Sequence, residues 1–539
     1  MRERSTSSRR RTAIVGVVAA ATAIGSAAAG GTNASAVPET AAADSRPDRV
    51  ERAIDQLDGL AEELMAKSDI PGMAVAVVYQ GEQVYAKGFG VRREGSPATV
   101  NPNTVFQLAS VSKSLAATVV AHEVTHKSVG WHTPVVRNLP GFRLADRYVS
   151  KHVTIGDMFS HRSGLPGLSG NLLEDIGYAR GSILKRLRLQ PLNPFRSTYA
   201  YSNYGLTAGA QSVAKAAGTD WATLSRRVLY RPLGMDSTSS RFADFVRRPN
   251  RARGHVEVDG RYVAKYLRDA DPESPAGGAS SNVNDISTWL EMLLANGTYE
   301  DTTITSPKAL LPALTPQSVS SPPSDPSAHP GFYGYGFNVG VNQAGHTQFS
   351  HSGAFYLGTG TNYVAIPDLD LAIVTLTNAT PTGVAETLNA EFADLAQFGS
   401  IQRPWWKLYS AALGAESDPV GSLVGHHPPA HPAPAQRLAD YTGTYNSPYV
   451  GPMDVEKASG RLRIRLGPDS MTFVLRHWDG NRFVYTPRGE NAPLGSISKV
   501  TFQHFRRGRP AQVTVEWFNK DENGSTNGLG VFHRRTGRP

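Results

Sequence analysis

The chain has 539 residues, more than one hydrophobic core organises, so at least two domains are expected. Hydrophobic residues make up 40% and charged residues 19%, which excludes disorder over most of the length. No cysteine is present, and disulfides, a thiol nucleophile and thiolate metal sites are excluded together.

Arg2, Arg4, Arg9, Arg10 and Arg11 precede an Ala-rich apolar run from Ala13 to Ala29, and Ala34-Ser35-Ala36 supplies small residues at a cleavage-like site. These are the three parts of a secretory signal, so residues 1–36 are read as a signal peptide. The protein is then exported, either secreted or held in the cell envelope, with no stable membrane insertion after cleavage. The arginine run also permits twin-arginine export. Cleavage removes five Arg and one Glu and takes the net charge from +9 to about +5, too little to expect a nucleic-acid partner. Residues 37–48 read as a flexible lead. From Val50 to Met65 apolar residues recur at helical spacing (Ile54, Leu57, Leu60, Leu64), which predicts an amphipathic helix. Two β-prone runs, Met73 to Tyr79 and Gln83 to Lys87, flank Gln80-Gly81-Glu82 and predict a hairpin.

The first chemistry-bearing pattern is Ser110-Val111-Ser112-Lys113. A helix starting near Ser110 puts i and i+3 on one face, so the hydroxyl and the amine become neighbours. Desolvation between apolar walls lowers the pKa of such an amine, and the neutral amine can take the hydroxyl proton. The helix N-terminus also directs N–H groups at a developing oxyanion. Further along, His122-Glu123-Val124-Thr125-His126 matches H-E-x-x-H, a pattern that sets two histidines on one helix face to bind zinc. It falls at the end of the Ser110 helix, with no third ligand at a familiar spacing, and no metal or other cofactor is expected. His161, in Ser160-His161-Arg162-Ser163-Gly164, reads as a hydrogen bonder that stabilises a loop. Tyr201-Ser202-Asn203 lies in a loop ahead of the helix-like stretch Leu206 to Ala217, and Asn203 singles out Tyr201 from its neighbours Tyr199 and Tyr204. His351-Ser352-Gly353-Ala354 lies on a β-prone segment.

Residues 415–436, with His426-His427-Pro428-Pro429-Ala430-His431-Pro432-Ala433-Pro434, read as a stiff proline linker. Beyond it come short alternating runs: Arg461 to Leu466, Met471 to Leu475, Arg482 to Tyr485, Lys499 to Phe505 and Gln512 to Phe518. They predict a small all-β barrel or sandwich over 437–539.

The order and separation of S-x-x-K, Y-x-N and H-x-G resemble those of the serine β-lactamase and penicillin-binding superfamily. Phe159 to Pro166, Arg231 to Met235, Gly277 to Ser281 and Tyr333 to Phe337 extend the resemblance to the class C β-lactamase-related serine hydrolases. Tyr441 to Tyr445 and Leu475 to Gly480 resemble the lipocalin-like β domain of some members. The resemblance implies an α+β fold over 49–414, an antiparallel sheet flanked by helices with an all-helical subdomain. It also implies an acyl-enzyme at Ser110, with Lys113 and Tyr201 sharing the proton and Asn203 holding the substrate. The backbone N–H groups of Ser110 and Ala354 would form the oxyanion hole. His351, with Ser352 and Gly353, would line the substrate site, His351 bonding to Tyr201 or to a substrate carboxylate. His351 stands where β-lactamases carry Lys, which resembles the D-alanyl-D-alanine carboxypeptidase, D-aminopeptidase and esterase branches. Yet residues 338–350 contain no Arg or Lys to receive a terminal carboxylate. The expected function is an exported serine hydrolase, acting as a monomer on amide or ester bonds of a small-molecule or peptide substrate: D-amino-acid peptides, cell-wall fragments or esters. The alternatives are a thioesterase or transacylase and a non-catalytic penicillin- or muropeptide-binding sensor.

Overall fold

The computed structural model describes residues 46–521 and 524–535; the expected signal peptide lies outside them. Two compact units are present. The first runs to Ser417 and takes in Arg488–Pro493; the second is Asp418–Pro487 together with the chain from Leu494 onward. No helix of the described residues is long and apolar enough to cross a membrane.

The first unit opens with helix α1 (Arg46–Ser68), which buries Val50, Ala53, Leu57, Ala61 and Leu64 at the spacing of one helix face. The hairpin follows as β1 (Gly72–Tyr79) and β2 (Glu82–Gly90). Its turn is two residues long, and Gln80 and Gly81 both have positive φ, at 53° and 78°. That geometry matches the right-handed twist of the strands. Next come helices α2 (Ser112–Thr125), α3 (Asn203–Ala216) and α4 (Val283–Leu294). Strands β3 (Ser318–Ser321), β4 (Gly331–Tyr333), β5 (Asn338–Val341), β6 (Thr347–Phe355), β7 (Thr359–Ile366) and β8 (Leu371–Thr377) complete the sheet, and α5 (Val384–Phe398) and α6 (Trp405–Gly414) follow. The sheet is antiparallel throughout, with eight strands in the order β2-β1-β8-β7-β6-β5-β4-β3.

Both faces of the sheet are covered, so its central strands are apolar on both sides. On one face Met73, Val75 and Val77 pack with Leu57 of α1 and Leu388 and Phe392 of α5. On the other, Ala74, Ala76 and Val78 share a larger core with Val119 of α2, Leu206 of α3 and Trp289 of α4. The fold is the β-lactamase-like α+β arrangement that the sequence implies.

In the second unit eight strands, β9 (Gly443–Ser447), β10 (Gly451–Ala458), β11 (Arg461–Leu466), β12 (Met471–Asp479), β13 (Arg482–Tyr485), β14 (Ser498–Arg506), β15 (Arg509–Val515) and β16 (Val531–Arg534), close into a barrel. β16 pairs with β9, which removes the free edges that a sandwich would keep. The strand expected to reach Phe518 ends at Val515, and Glu516–Phe518 turns as a 3-10 helix. There the Glu516 carboxylate accepts the Ser422 and Lys499 amides.

The proline-rich stretch is exposed from Gly425 to Pro434, yet the chain around it is fastened to the barrel. Val420 O accepts from Ile497 N at 2.9 Å, and Ala433 both donates to Asp479 and accepts from Gly480 N at 2.8 Å. Proline lacks an N–H, but carbonyls and non-proline neighbours still bond, so the segment is a strap rather than a free linker.

One buried carboxylate organises the loops of the helical side. Asp157 is 1% exposed and holds Arg162 and Arg196, each at 2.9 Å, while its side chain also accepts from Thr154 N. Asp157→Ala would leave two guanidinium groups without their acceptor. It is expected to destabilise the protein by about 3 kcal/mol, the range for breaking a buried pair, measured by urea unfolding.

Candidate active site

Ser110 sits in a 3-10 turn, Ala109–Val111, that runs directly into α2. Ala109 before it has φ +46°, a left-handed conformation that a non-glycine residue adopts only when its surroundings impose it. Here Leu108 is bonded on two sides: its N–H donates to Ala279 O at 2.9 Å, and its carbonyl accepts from Thr361 Oγ1 of β7 at 2.8 Å. Gly353 of β6 lies flat against this turn. A Cβ there would stand 2.2 Å from Leu108 O and 3.0 Å from Ser110 N, so the backbone contact requires glycine.

Lys113 is fully buried one turn along, and its Nζ donates to Ser110 Oγ at 3.0 Å and to Ala276 O at 2.8 Å. Burial pushes its pKa down to about 7; the Glu273 carboxylate opposes that fall and Arg268 adds to it. The amine is thus poised between free base and cation near neutrality. Tyr201 presents its ring to the same amine, with Nζ 4.6 Å from the ring centroid. Burial raises the Tyr201 phenol well above its usual pKa, opposed by the nearby Ser110 hydroxyl, yet that oxygen makes no hydrogen bond of good geometry. The phenol is therefore neutral at ordinary pH, and of the two groups only the lysine changes its charge near neutrality.

Asn203 is the first residue of α3, whose N-cap is Ser202. Its Oδ1 is buried without a partner, an acceptor ready for an N–H. Of the neighbouring tyrosines, Tyr204 donates to Glu174 at 2.7 Å and Tyr199 keeps a buried, unpaired hydroxyl. His161 fixes the Tyr201 loop as its sequence context predicts: Ser202 N–H donates to Nδ1 at 3.2 Å and Ala200 N–H to the carbonyl at 2.9 Å. Its ring lies 4.4 Å from that of Tyr201.

Two expected assignments need correction. His351 bonds neither Tyr201 nor an open site: Nδ1 donates to Ser352 O at 2.6 Å, and Nε2 accepts from Tyr333 at 2.9 Å. Burial, then the charge of Lys113, pushes it down to about 3, so it is a neutral strut. Ser352 points to the other face of the sheet, because successive strand residues alternate. There it accepts from Asn362 at 3.0 Å and lines a cavity of about 100 Å³ with Glu386 and Asp394, away from Ser110.

His122 and His126 stack at 4.2 Å at the end of α2, and His126 Nδ1 donates back to His122 O at 2.9 Å. Among the described residues no group of three or more His, Cys, Asp or Glu is placed to hold a metal. Sequence reasoning missed the Ala276 carbonyl, which as backbone leaves no signature, and the buried Arg268 with Glu174 at 2.9 Å and Glu273 at 2.7 Å. Tyr333 lay inside the motif Tyr333 to Phe337 without a role assigned to it.

The family model described as Beta-lactamase matches residues 57–398, well over half of the chain, and the protein belongs to that family. Residues 427–526 match a second model, described as a domain of unknown function (DUF3471). The chain is 28% identical over 408 residues to unguisins hydrolase ungD' of Aspergillus campestris, covering 70% of this chain and 73% of that protein. Over 255 residues it is 24% identical to the D-alanyl-D-alanine-carboxypeptidase/endopeptidase AmpH of Escherichia coli K12, covering 46% of this chain and 64% of that one. The octameric penicillin-binding protein homologue from Pyrococcus abyssi shares the fold, with a TM-score of 0.56 at 18% identity over 86% of this chain and 98% of that one.

Two outcomes follow from the geometry. A general base at Lys113, with its pKa lowered to about 7, predicts that kcat/KM for acylation rises about tenfold per pH unit below pH 7 and levels off above it, measured with a neutral ester. Gly353→Ala drives a Cβ into backbone and should lower kcat/KM about 100-fold or more, since a displacement on the order of 1 Å is enough for that.

Proposed function

We propose that the protein hydrolyses amide or ester bonds through an acyl-enzyme at Ser110, on substrates that carry no free carboxylate beside the scissile bond. The observation that carries this reading is the pairing of Ser110 with a buried amine of depressed pKa, 3.0 Å away. Lys113 takes the Ser110 proton as Oγ attacks the carbonyl carbon. The N–H groups of Ser110 and Ala354 receive the oxyanion. As the tetrahedral adduct collapses, Tyr201 protonates the departing amine or alcohol and is reprotonated by Lys113. Water then enters by the reverse route. Asn203 Oδ1 accepts a substrate N–H, which favours peptides over simple esters as natural substrates.

The basic groups around the site limit the charge of the substrate. Lys113 must be neutral to act, His351 is neutral and tied to Tyr333, and Arg268 is already held by carboxylates. None of these three groups offers a terminal carboxylate a free cation. D-amino-acid peptides, cell-wall fragments and esters remain the candidate class, in neutral or internal form, and the signal-like sequence of residues 1–36 supports export.

Mass spectrometry of the full mature chain tests this. Fluorophosphonate should add to Ser110, and p-nitrophenyl esters and D-amino amides should be turned over. Penicillins should be hydrolysed slowly or not at all, well below about 10² per second. Label on another serine, or penicillin turnover at that rate, would overturn the proposal. Ser110→Ala should lower ester turnover on the order of 10³-fold or more, as for residues that act as a unit.

A further inference from the structure

The segment Arg488–Pro493 lies in sequence between barrel strands β13 and β14, yet it belongs to the catalytic unit. It is seated by Asp175, whose carboxylate accepts from Glu490 N at 2.9 Å and from Asn491 N and Nδ2 at 3.1 and 2.9 Å. Gly489 precedes them with φ +129°, and a Cβ there would stand 2.4 Å from the Asp175 carboxyl carbon. Only glycine lets the segment close onto Asp175.

So seated, Glu490 reaches the end of β6. Its carboxylate accepts from Tyr356 N at 2.7 Å and from Leu357 N at 3.3 Å, the two residues that follow the last residue of the strand. Arg268 completes the grip: its Nη1 lies 3.5 Å from Glu490, and its guanidinium stacks 4.5 Å over the ring of Phe355. The grip falls beyond the point where β6 loses one of its two neighbouring strands. β5 pairs with β6 only from Thr347 to Ser350, so the stretch carrying Gly353 and Ala354 is held through β7 alone among the described strands.

We propose that Glu490 is a positioning residue for acylation: it clamps the end of β6 and so fixes the Ala354 N–H that receives the oxyanion. The proposal rests on the acyl-enzyme reading given above. An oxyanion donor works only within a few tenths of an ångström of its place, and a shift on the order of 1 Å costs about 100-fold in rate. Such an effect is confined to the transition state. It lowers the rate constant and leaves ground-state binding alone.

The experiment uses the full mature chain and a fluorophosphonate concentration series, with kinact and KI read at Ser110 and the thermal transition recorded beside them. Label on wild-type Ser110 establishes the underlying reading; wild-type protein left unlabelled there overturns both proposals. In Glu490→Ala, kinact should fall about 10- to 100-fold with KI changed less than about threefold. In Glu490→Gln, whose amide oxygen still accepts from Tyr356 N–H, most of that loss should return. A Glu490→Ala rate within twofold of wild type overturns the proposal. So does a loss that merely follows the unfolded fraction and that glutamine fails to rescue. Should Glu490→Ala not fold, Glu490→Asp decides, because its shorter carboxylate keeps the charge beside Arg268 but withdraws from Tyr356 N–H: kinact about three- to tenfold below wild type at an unchanged transition supports the clamp, and a rate within twofold of wild type overturns it.

Discussion

Removing the Lys113 ammonium from water is the constraint on which the rest of the site is built. A buried amine is strongly disfavoured as a cation, and here no carboxylate touches it; its partners are the Ser110 hydroxyl and the Ala276 carbonyl, both neutral. Two neutral acceptors hold the amine in place without restoring its charge, which is why its pKa settles about where a general base is useful. A contacting aspartate would hold the proton on the lysine. Glu273 acts on the amine only through its field, and the Arg268 guanidinium beside Glu273 acts in the opposite sense.

Holding an amine in that state requires walls that do not yield. They are made by backbone meeting backbone. Gly353 admits β6 to the Ser110 turn, and Gly336, at φ +79°, lets its own strand connection reach Lys113 O, where a Cβ would stand 2.5 Å away. Ser114 donates to Gly336 O at 2.7 Å and accepts from Tyr363 at 2.8 Å, so the helix is pinned one turn beyond Ser110 as well. These contacts are long-range in sequence and short in space, and the strain at Ala109 is sustained by them.

The motifs were legible because each concentrates its chemistry in a short stretch. Ser110 and Lys113 need only one helical turn, Tyr201 and Asn203 only a loop and a helix start, and the hairpin around Gln80-Gly81 only its turn. Strand alternation was also available from the sequence: whichever face His351 takes, Ser352 must take the other, and the structure puts Ser352 behind the sheet with Asn362. What was not legible is what distance in sequence conceals. Nothing in Pro487 to Pro493 marks it as belonging with residues hundreds of positions earlier, because Asp175, Arg268 and Glu490 are ordinary surface residue types until folding brings them together. The proline-rich strap misled for a related reason, since composition reports which groups cannot bond and is silent on those that can.

The two buried histidines show how the site limits its own charge. His161 and His351 are both held far below the ordinary imidazole range, first by burial and then by the Lys113 charge. Ring bonding agrees for His161, whose Nδ1 accepts the Ser202 amide, and in neutral His351 the Nε2 lone pair accepts from Tyr333. His161 therefore needs its Nδ1 lone pair free and cannot be doubly protonated without breaking the bond that positions Ser202. Of these groups Lys113 alone changes its charge near neutrality, and burial keeps Tyr201 and Tyr333 neutral. On the proposed reading, with Arg268 already held by carboxylates, a site whose one titrating base is Lys113 discriminates by hydrogen bonding and shape, and the unpaired Asn203 oxygen then weighs more in substrate choice than charge does.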